Sequence, residues 1–373
     1  MSWWWAGAVG AVKKSQDERA ASSFQSVALV VGSTGIIGTS LVDILPRHDT
    51  PGGPWKVYAV SRRPLPRWSP PPSPAVTHLH LDLADPVAVV EALTPLTDIT
   101  HVFYAAWSSD PTEAQNREAN SAMLRNVLSV VVPGCPALAH VCLQTGRKHY
   151  IGPYEAIGKI PVPDPPYTED MPRLDYPNFY YDQEDVFFEE VSHRDGAVSW
   201  SVHRPSVVFG FSPRSAMNVV ASLCVYAAIC RKEGATLRWP GTRVAWEGFS
   251  DASDADLVAE QEIWAAVDPL AKNEPFNCSN GDLYKWKQLW PMVADRFGVE
   301  WTGYEGEDSR FMLADAMAGK EAVWAEILQE NELVTTELQE IANWWFLDAV
   351  FNVKTAKSFN AWIDKMKALK IVP

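Results

Sequence analysis

A loop with three regularly spaced glycines is the first feature of the sequence that could do chemistry. Gly32, Gly35 and Gly38 form a G-x-x-G-x-x-G pattern between an apolar run and an amphipathic run. The first glycine allows a tight turn, the second lets backbone approach a pyrophosphate, and the third lets a helix pack close to a strand. The amino end of that helix favours phosphate. The spacing predicts a dinucleotide site; a plain tight turn is the alternative.

Two arginines indicate which dinucleotide is bound. Arg62 and Arg63 follow the second apolar run, where an NAD-binding protein usually places an acid for the ribose 2′-hydroxyl. Guanidiniums instead suit a 2′-phosphate, although a solvated basic pair is the alternative. We therefore predict NADPH/NADP+ as the cofactor. The ends of the third and fourth strands should lie along it, at Asp82, Leu83, Ala106 and Trp107.

A tyrosine doublet lies on a helical run that lacks the expected lysine. Oxidoreductases of this kind commonly use Tyr-x-x-x-Lys on one helix. Here Glu184 lies four residues after Tyr180, and Asp185 lies four after Tyr181. An ordinary alcohol dehydrogenase or sugar epimerase is therefore disfavoured, and the chemistry must be arranged differently or be missing.

The elements that must position these residues alternate along the first 210 residues. Short apolar runs predict strands at 26–31, 56–60, 77–81, 101–105, 140–143 and 199–203. Helical spacing separates them at 37–45, 85–93, 115–131 and 178–191. The fold class is thus α/β, with a Rossmann-type doubly wound parallel sheet.

Beyond residue 210, helical patterns dominate at 217–231, 254–267, 285–297 and 308–340. We expect an N-terminal arm at 1–25, an NADP-binding Rossmann domain at 26–215, and a smaller, mainly helical C-terminal substrate lobe at 216–373. The lobe is expected to interleave partly with the sheet domain.

Composition excludes several classes of protein. A formal net charge of −14 disfavours nucleic acid and anionic membranes as partners. Five cysteines without a Cys-x-x-Cys pair disfavour both a disulfide framework and a metal site. We expect a cytoplasmic enzyme with reduced thiols and no metal, and a homodimer on the general frequency of symmetric pairs.

The sequence also resembles the plant progesterone 5β-reductase and iridoid synthase family of divergent short-chain dehydrogenases. Matching segments run along essentially the whole chain: MSWWWAGA at 1–8, DTPGGPWKVY at 49–58, LQTGRKHY at 143–150, NFYY at 178–181, HRP at 203–205, FGFSP at 209–213, LCVYAAIC at 223–230 and KIVP at 370–373.

The resemblance implies a relocated catalytic pair, Lys148 and Tyr181. Besides Gly32 and Gly38, which the glycine spacing itself predicts, it implies cofactor contacts at Thr34, Gly35, Ile36, Arg62, Arg63, Asp82, Leu83, Ala106, Trp107, Gln144, Tyr181, Val208, Ser215, Ala216 and Met217. It implies a substrate pocket walled by Trp107, Tyr154, Met217 and Phe346. The segment from Phe346 to Trp362 is about twenty residues shorter than in the family, which bears on the pocket.

The expected reaction is NADPH-dependent reduction of a carbon–carbon double bond conjugated to a carbonyl, in a small apolar enone. Hydride addition leaves an enolate, and a phenol supported by an ammonium stabilises its oxygen by about 3–4 kcal/mol per well-placed donor. Two alternatives stay open: an iridoid synthase-like reductive cyclisation of 8-oxogeranial, and a non-catalytic NADP-binding regulator.

Overall fold

The computed structural model describes residues 24–65, 69, 71–156, 159–213, 215, 217–249, 251–334, 337–351, 363, 366–368 and 370–372. The predicted N-terminal arm lies almost wholly outside these residues, as does much of the short segment before Trp362.

The strands are β1 Ser26–Val31, β2 Trp55–Ser61, β3 Val76–His80, β4 His101–Tyr104, β5 His140–Gln144, β6 Ser199–Pro205, β7 Val208–Phe209, β8 Leu237–Arg238, β9 Ser253–Asp254, β10 Glu274–Cys278 and β11 Trp301–Thr302.

Helices cover both faces of the sheet and form most of the later chain. They are α1 Ile36–Ile44, α2 Pro86–Leu93, α3 Glu113–Gly134, α4 Lys148–Ile151, α5 Phe179–Ser192, α6 Val219–Glu233, α7 Arg243–Glu247, α8 Ala255–Val267, α9 Trp286–Phe297, α10 Leu313–Ala316, α11 Glu321–Glu330, α12 Leu338–Ile341 and α13 Trp344–Val350.

The central sheet has seven parallel strands in the order β10-β6-β5-β4-β1-β2-β3. The order reverses at β1, so the chain leaves β1 towards one edge and returns through β4 to the other side. A ligand of such a sheet binds outside the carboxyl ends of the strands at this reversal. The predicted Rossmann-type fold is confirmed.

The sheet is buried on both faces because successive residues of each strand point in opposite directions. In β1, Ala28 and Val30 join a core with α1, α6, α8 and α9. Val27, Leu29 and Val31 join a second core with α2, α3 and α5. Every residue of β1 is buried, which explains why its sequence is a continuous apolar run.

One strand of the sheet was missed by the sequence analysis. Strand β10 pairs in parallel with β6, although it comes from the part of the chain assigned to the helical lobe. Helix α8, which comes from the same part of the chain, also packs against α1 and β5. The sheet domain therefore draws on chain far beyond residue 215.

The helical pattern at 308–340 is not one helix. It is divided into α10, α11 and α12, with Gly319 at φ +73° between the first two. A left-handed residue ends a helix, and glycine adopts that conformation readily.

From the sequence we expect no membrane partner, no metal site and no disulfide framework. Among the described residues no helix is long and apolar enough to cross a membrane, and no cluster of His, Cys, Asp and Glu side chains there could hold a metal ion. All five cysteines are described, buried and unpaired with one another.

Candidate active site

The glycine loop forms a turn that only glycine can occupy. Gly32 follows β1 with φ +90°, and a Cβ there would lie 2.8 Å from the backbone nitrogen of Ala106 after β4. A Cβ on Gly38 would lie 2.1 Å from the carbonyl oxygen of Gly32. The two glycines therefore let α1 start directly against the ends of β1 and β4. Helix α1 has Gly35 as its N-cap and no side-chain cap, so its first N–H groups suit a phosphate.

A cavity of about 450 Å³ opens beside this loop, at the carboxyl ends of β1, β2 and β4. It brings together most of the predicted cofactor residues, namely Gly32, Thr34, Gly35, Arg62, Arg63, Asp82, Leu83, Ala106, Trp107 and Ser215. Arg62 and Arg63 are exposed at its edge, and the Ser61 hydroxyl donates to the Arg63 carbonyl oxygen at 2.7 Å. The glycine loop and the two guanidiniums supply groups that suit the phosphates of an NADP-type dinucleotide.

Other predicted cofactor residues lie around this cavity without lining it. Ile36 and Gly38 belong to the first turn of α1, and Gln144 ends β5 with its buried Oε1 lacking a hydrogen-bond partner among the described residues. Val208 pairs with Ser253. Ala216 lies outside the described residues.

A second cavity of about 640 Å³ begins where the first one ends. Trp107 and Ser109 line both cavities, so the two are adjacent. The second is also lined by Asp110, Pro111, Glu113, Asn116, Lys148, Pro153, Glu155, Met217, Asn343, Trp345 and Phe346. It combines an apolar wall with a few charged groups, as a small-molecule site does.

Three of the four predicted substrate residues, Trp107, Met217 and Phe346, line this second cavity. The side chain of Tyr154 lies outside the described residues. Sequence analysis missed Glu113, Glu155, Asp110 and Trp345, because an acid at a helix start and an exposed tryptophan carry no local signal of a cavity.

Lys148 is the buried cation of the second cavity. It begins α4, directly after β5, and is 9% exposed. Its Nζ lies 4.1 Å from the ring centroid of Phe179 and 5.0 Å from that of Tyr180. Burial lowers the pKa of Lys148 to about 8, against the opposing effect of Glu113. Lys148 can therefore gain or lose its proton close to neutral pH.

The hydroxyl of Tyr181 makes two hydrogen bonds to backbone groups. Its hydroxyl donates to the His149 carbonyl oxygen at 2.6 Å and accepts from the Leu174 backbone N–H at 3.0 Å. Burial raises its pKa. Because backbone groups occupy its donor and acceptor positions, Tyr181 connects α5 to α4. Its roles as catalytic phenol and cofactor contact stay predictions.

Tyr180 is the tyrosine that faces the end of β5. Its hydroxyl oxygen lies 3.0 Å from where a Cβ on Gly146 would be, and its ring lies beside the Lys148 ammonium. Neighbouring residues on a helix point about 100° apart, so only one member of the doublet can face this side. Asn178 caps the helix: its Oδ1 accepts from the Tyr180 N–H at 3.1 Å, and its Nδ2 donates to the Lys148 carbonyl oxygen at 2.8 Å.

The absent lysine is replaced by a buried carboxylate in an ion-pair cluster. Glu184 is 3% exposed and lies 3.0 Å from Arg173, 3.5 Å from Arg204 and 3.6 Å from His149. Burial opposes its charged form, but His149 and the two guanidiniums outweigh burial and lower its pKa. The position that usually supplies a cation therefore cannot do so.

The Rossmann-type fold is reflected in a family match. The model for the PRISE-like Rossmann-fold domain matches residues 28–324. The chain belongs to this family.

Two relatives are similar to this chain along its full length. An (S)-8-oxocitronellyl enol synthase of Nepeta cataria is 54% identical, and a 3-oxo-Delta(4,5)-steroid 5-beta-reductase of Arabidopsis thaliana is 53% identical. In both cases all of each chain is covered. The alignment with the first spans 393 positions, so about 20 of them face gaps in this 373-residue chain.

Among solved structures, the terminal R domain from the myxalamid PKS-NRPS biosynthetic pathway has a TM-score of 0.60 and 14% identity. The similarity covers 94% of this chain and 93% of that one. At this identity the similarity supports the fold alone.

The close packing at Gly38 gives a direct test of the loop. We expect Gly38→Ala to destabilise the protein by about 1–3 kcal/mol, because the new methyl group must displace backbone at Gly32. Urea unfolding measures this change, and titration with NADPH should show weakened binding. Gly134→Ala is the control, since a Cβ there meets nothing within 4 Å; equal stability of the two variants would contradict the assignment.

Proposed function

We propose that this PRISE-like protein is an NADPH-dependent reductase of enones, acting by 1,4-addition across the conjugated double bond. The observation that carries the proposal is the position of Lys148, a buried ammonium in a cavity that adjoins the dinucleotide cavity at Trp107. Support also comes from the relatives: one name describes reduction of a 3-oxo-Δ4,5 steroid, the other formation of an enol.

The reactions in both names can begin with the same first step. When bound, NADPH supplies the hydride that adds to the β-carbon of the enone. The electron pair of the double bond then moves to the carbonyl oxygen as an enolate. Protonation at the α-carbon gives the saturated ketone, and protonation at oxygen gives the enol. One hydride and one proton are consumed in either case.

The chain contributes the groups that stabilise the oxygen. Tyr180 offers a phenol donor, and the Lys148 ammonium beside its ring favours negative charge at that oxygen. The apolar side chains of Trp107, Met217 and Phe346 line the same cavity, and a less polar surrounding strengthens the electrostatic effect. The role the sequence analysis gave to Tyr181 passes to Tyr180 in this proposal.

A second candidate is the reductive cyclisation of 8-oxogeranial in the manner of iridoid synthases. Its support is that the enol synthase and the steroid reductase are almost equally similar to this chain. Purified protein should be assayed with NADPH and, separately, a small cyclic enone, progesterone and 8-oxogeranial, with product analysis by chromatography. Bound NADPH without turnover of any of the three would favour the regulator instead.

The five unpaired, buried cysteines support a cytoplasmic enzyme as part of this proposal. The predicted homodimer is tested by light scattering of the purified chain.

The tyrosine doublet provides a matched pair of variants. We expect Tyr180→Phe to lower kcat for the cyclic enone by about 10²–10³-fold, because it removes a donor to the developing oxyanion. Tyr181→Phe should keep most of kcat and lose about 1 kcal/mol of stability with its hydrogen bonds to backbone. Steady-state kinetics and urea unfolding measure both effects. A larger kinetic loss in Tyr181→Phe would restore the original assignment.

The arginine pair determines cofactor preference in this proposal. Replacing Arg62 and Arg63 with alanine should weaken NADPH binding by about 10–100-fold, since hydrogen bonds to charged groups contribute about 1.5–3 kcal/mol. NADH lacks the 2′-phosphate, so its affinity should hardly change. Fluorescence titration with each dinucleotide measures the two constants. An equal loss of affinity for NADPH and NADH would place the two arginines outside the 2′-phosphate site.

A further inference from the structure

One buried carboxylate in the substrate cavity has no part in the reaction described above. Glu113 is the first residue of α3 and is 6% exposed, although glutamate is seldom buried unless it is paired. It lines the same cavity as Lys148. Its burial therefore needs a compensating interaction.

That interaction is with the helix that carries Tyr180. The Glu113 Oε1 accepts a hydrogen bond of 2.6 Å from the backbone N–H of Phe179, the first residue of α5. So short an N–H···O contact is typical of a charged acceptor. A carboxylate at a helix amino end is also favoured by the helix dipole. Glu113 thus fixes the turn of α5 from which Tyr180 projects.

Glu113 also acts on the catalytic cation. Phe179, whose N–H it accepts, carries the ring over which the Lys148 ammonium lies at 4.1 Å. The carboxylate raises the pKa of Lys148 against the effect of burial. Burial raises the pKa of Glu113, whereas the hydrogen bond from the Phe179 N–H and the charge of Lys148 act to lower it. The two groups stabilise each other's charged forms.

We propose that Glu113 is a positioning residue of the reductase, which fixes the amino end of α5 under Tyr180 and keeps Lys148 charged inside the substrate cavity. This inference rests on the proposed function, because it assigns a role relative to the catalytic pair. It adds a third member, on a third helix, to the group that stabilises the enolate oxygen.

Other ionisable groups around Lys148 are arranged so that Glu113 has the main effect on its charge. Arg117, on α3, pairs with Asp182 of α5 at 2.6 Å, and Glu184 of α5 pairs with Arg173 and Arg204. The remaining ionisable groups come from the loop after β4, α4 itself, the turn after it, and α5: Asp110, His149, Glu155 and Tyr180.

The variant Glu113→Gln separates charge from geometry. Its amide oxygen can still accept the Phe179 N–H, whereas the negative charge is gone. Glu118→Gln is the matched control, because it makes the same chemical change on the same helix at an exposed position. Thermal melting of both variants should resemble that of the unchanged protein, showing that the helix start is intact.

The decisive measurement is the pH at which Lys148 becomes reactive. The purified full chain is labelled with an amine-selective acetylating reagent across pH 6–10, and peptide mass spectrometry follows Lys148. We expect half-maximal labelling near the pKa of about 8 in the unchanged protein, and roughly one pH unit lower in Glu113→Gln. Glu118→Gln should match the unchanged protein. An unshifted curve in Glu113→Gln would overturn the proposal.

Kinetics then connects the charge to turnover. With NADPH and the cyclic enone, kcat should fall as pH rises through the Lys148 pKa, and this fall should begin at lower pH in Glu113→Gln. Because labelling needs no turnover, it tests Glu113 even where no enone is reduced. Turnover with an unshifted labelling curve would reject the role of Glu113 alone.

Discussion

The amino end of helix α5 is the point on which the site depends. The first N–H groups of a helix have no partner within the helix and must be satisfied from elsewhere. Here Asn178 accepts from Tyr180, and Glu113 accepts from Phe179. These residues belong to different parts of the chain, so meeting one backbone requirement brings α3, α4 and α5 together around the cavity. The positions of Tyr180 and Lys148 follow from that junction.

The sheet places this junction beside the cofactor. Reversal of strand order at β1 leaves space between the ends of β1 and β4, and Gly32 and Gly38 keep that space clear. Strand β5 ends next to them and leads directly into α4, which begins with Lys148. Trp107, after β4, lines both cavities. In the proposed reaction, the distance between the hydride donor and the groups that stabilise the oxyanion is therefore set by the spacing of neighbouring strands.

Sequence patterns predicted the sheet well because its inner strands are buried on both faces and read as apolar runs. They missed β10, an edge strand whose sequence EPFNC contains a charge and a proline and is only partly buried. The glycine loop and the arginine pair could be located because their roles follow from local backbone and charge. The choice between the two tyrosines of the doublet could not be made from the sequence. It depends on which side of α5 meets α4, and on the Leu174 N–H, which donates a hydrogen bond to the Tyr181 hydroxyl. Glu113 could not be found for the same reason: its partner lies 66 residues away.

The carboxylate at position 184 has a consequence for how such a chain could change over time. Arg173 and Arg204 are both arranged around it. A single mutation restoring lysine there would bury a cation among guanidiniums, at a cost of several kcal/mol. Intermediates on the way back to the common Tyr-x-x-x-Lys arrangement would therefore be poorly folded. With Glu184 and its two arginines in place, the cation of the proposed reductase has to come from another helix.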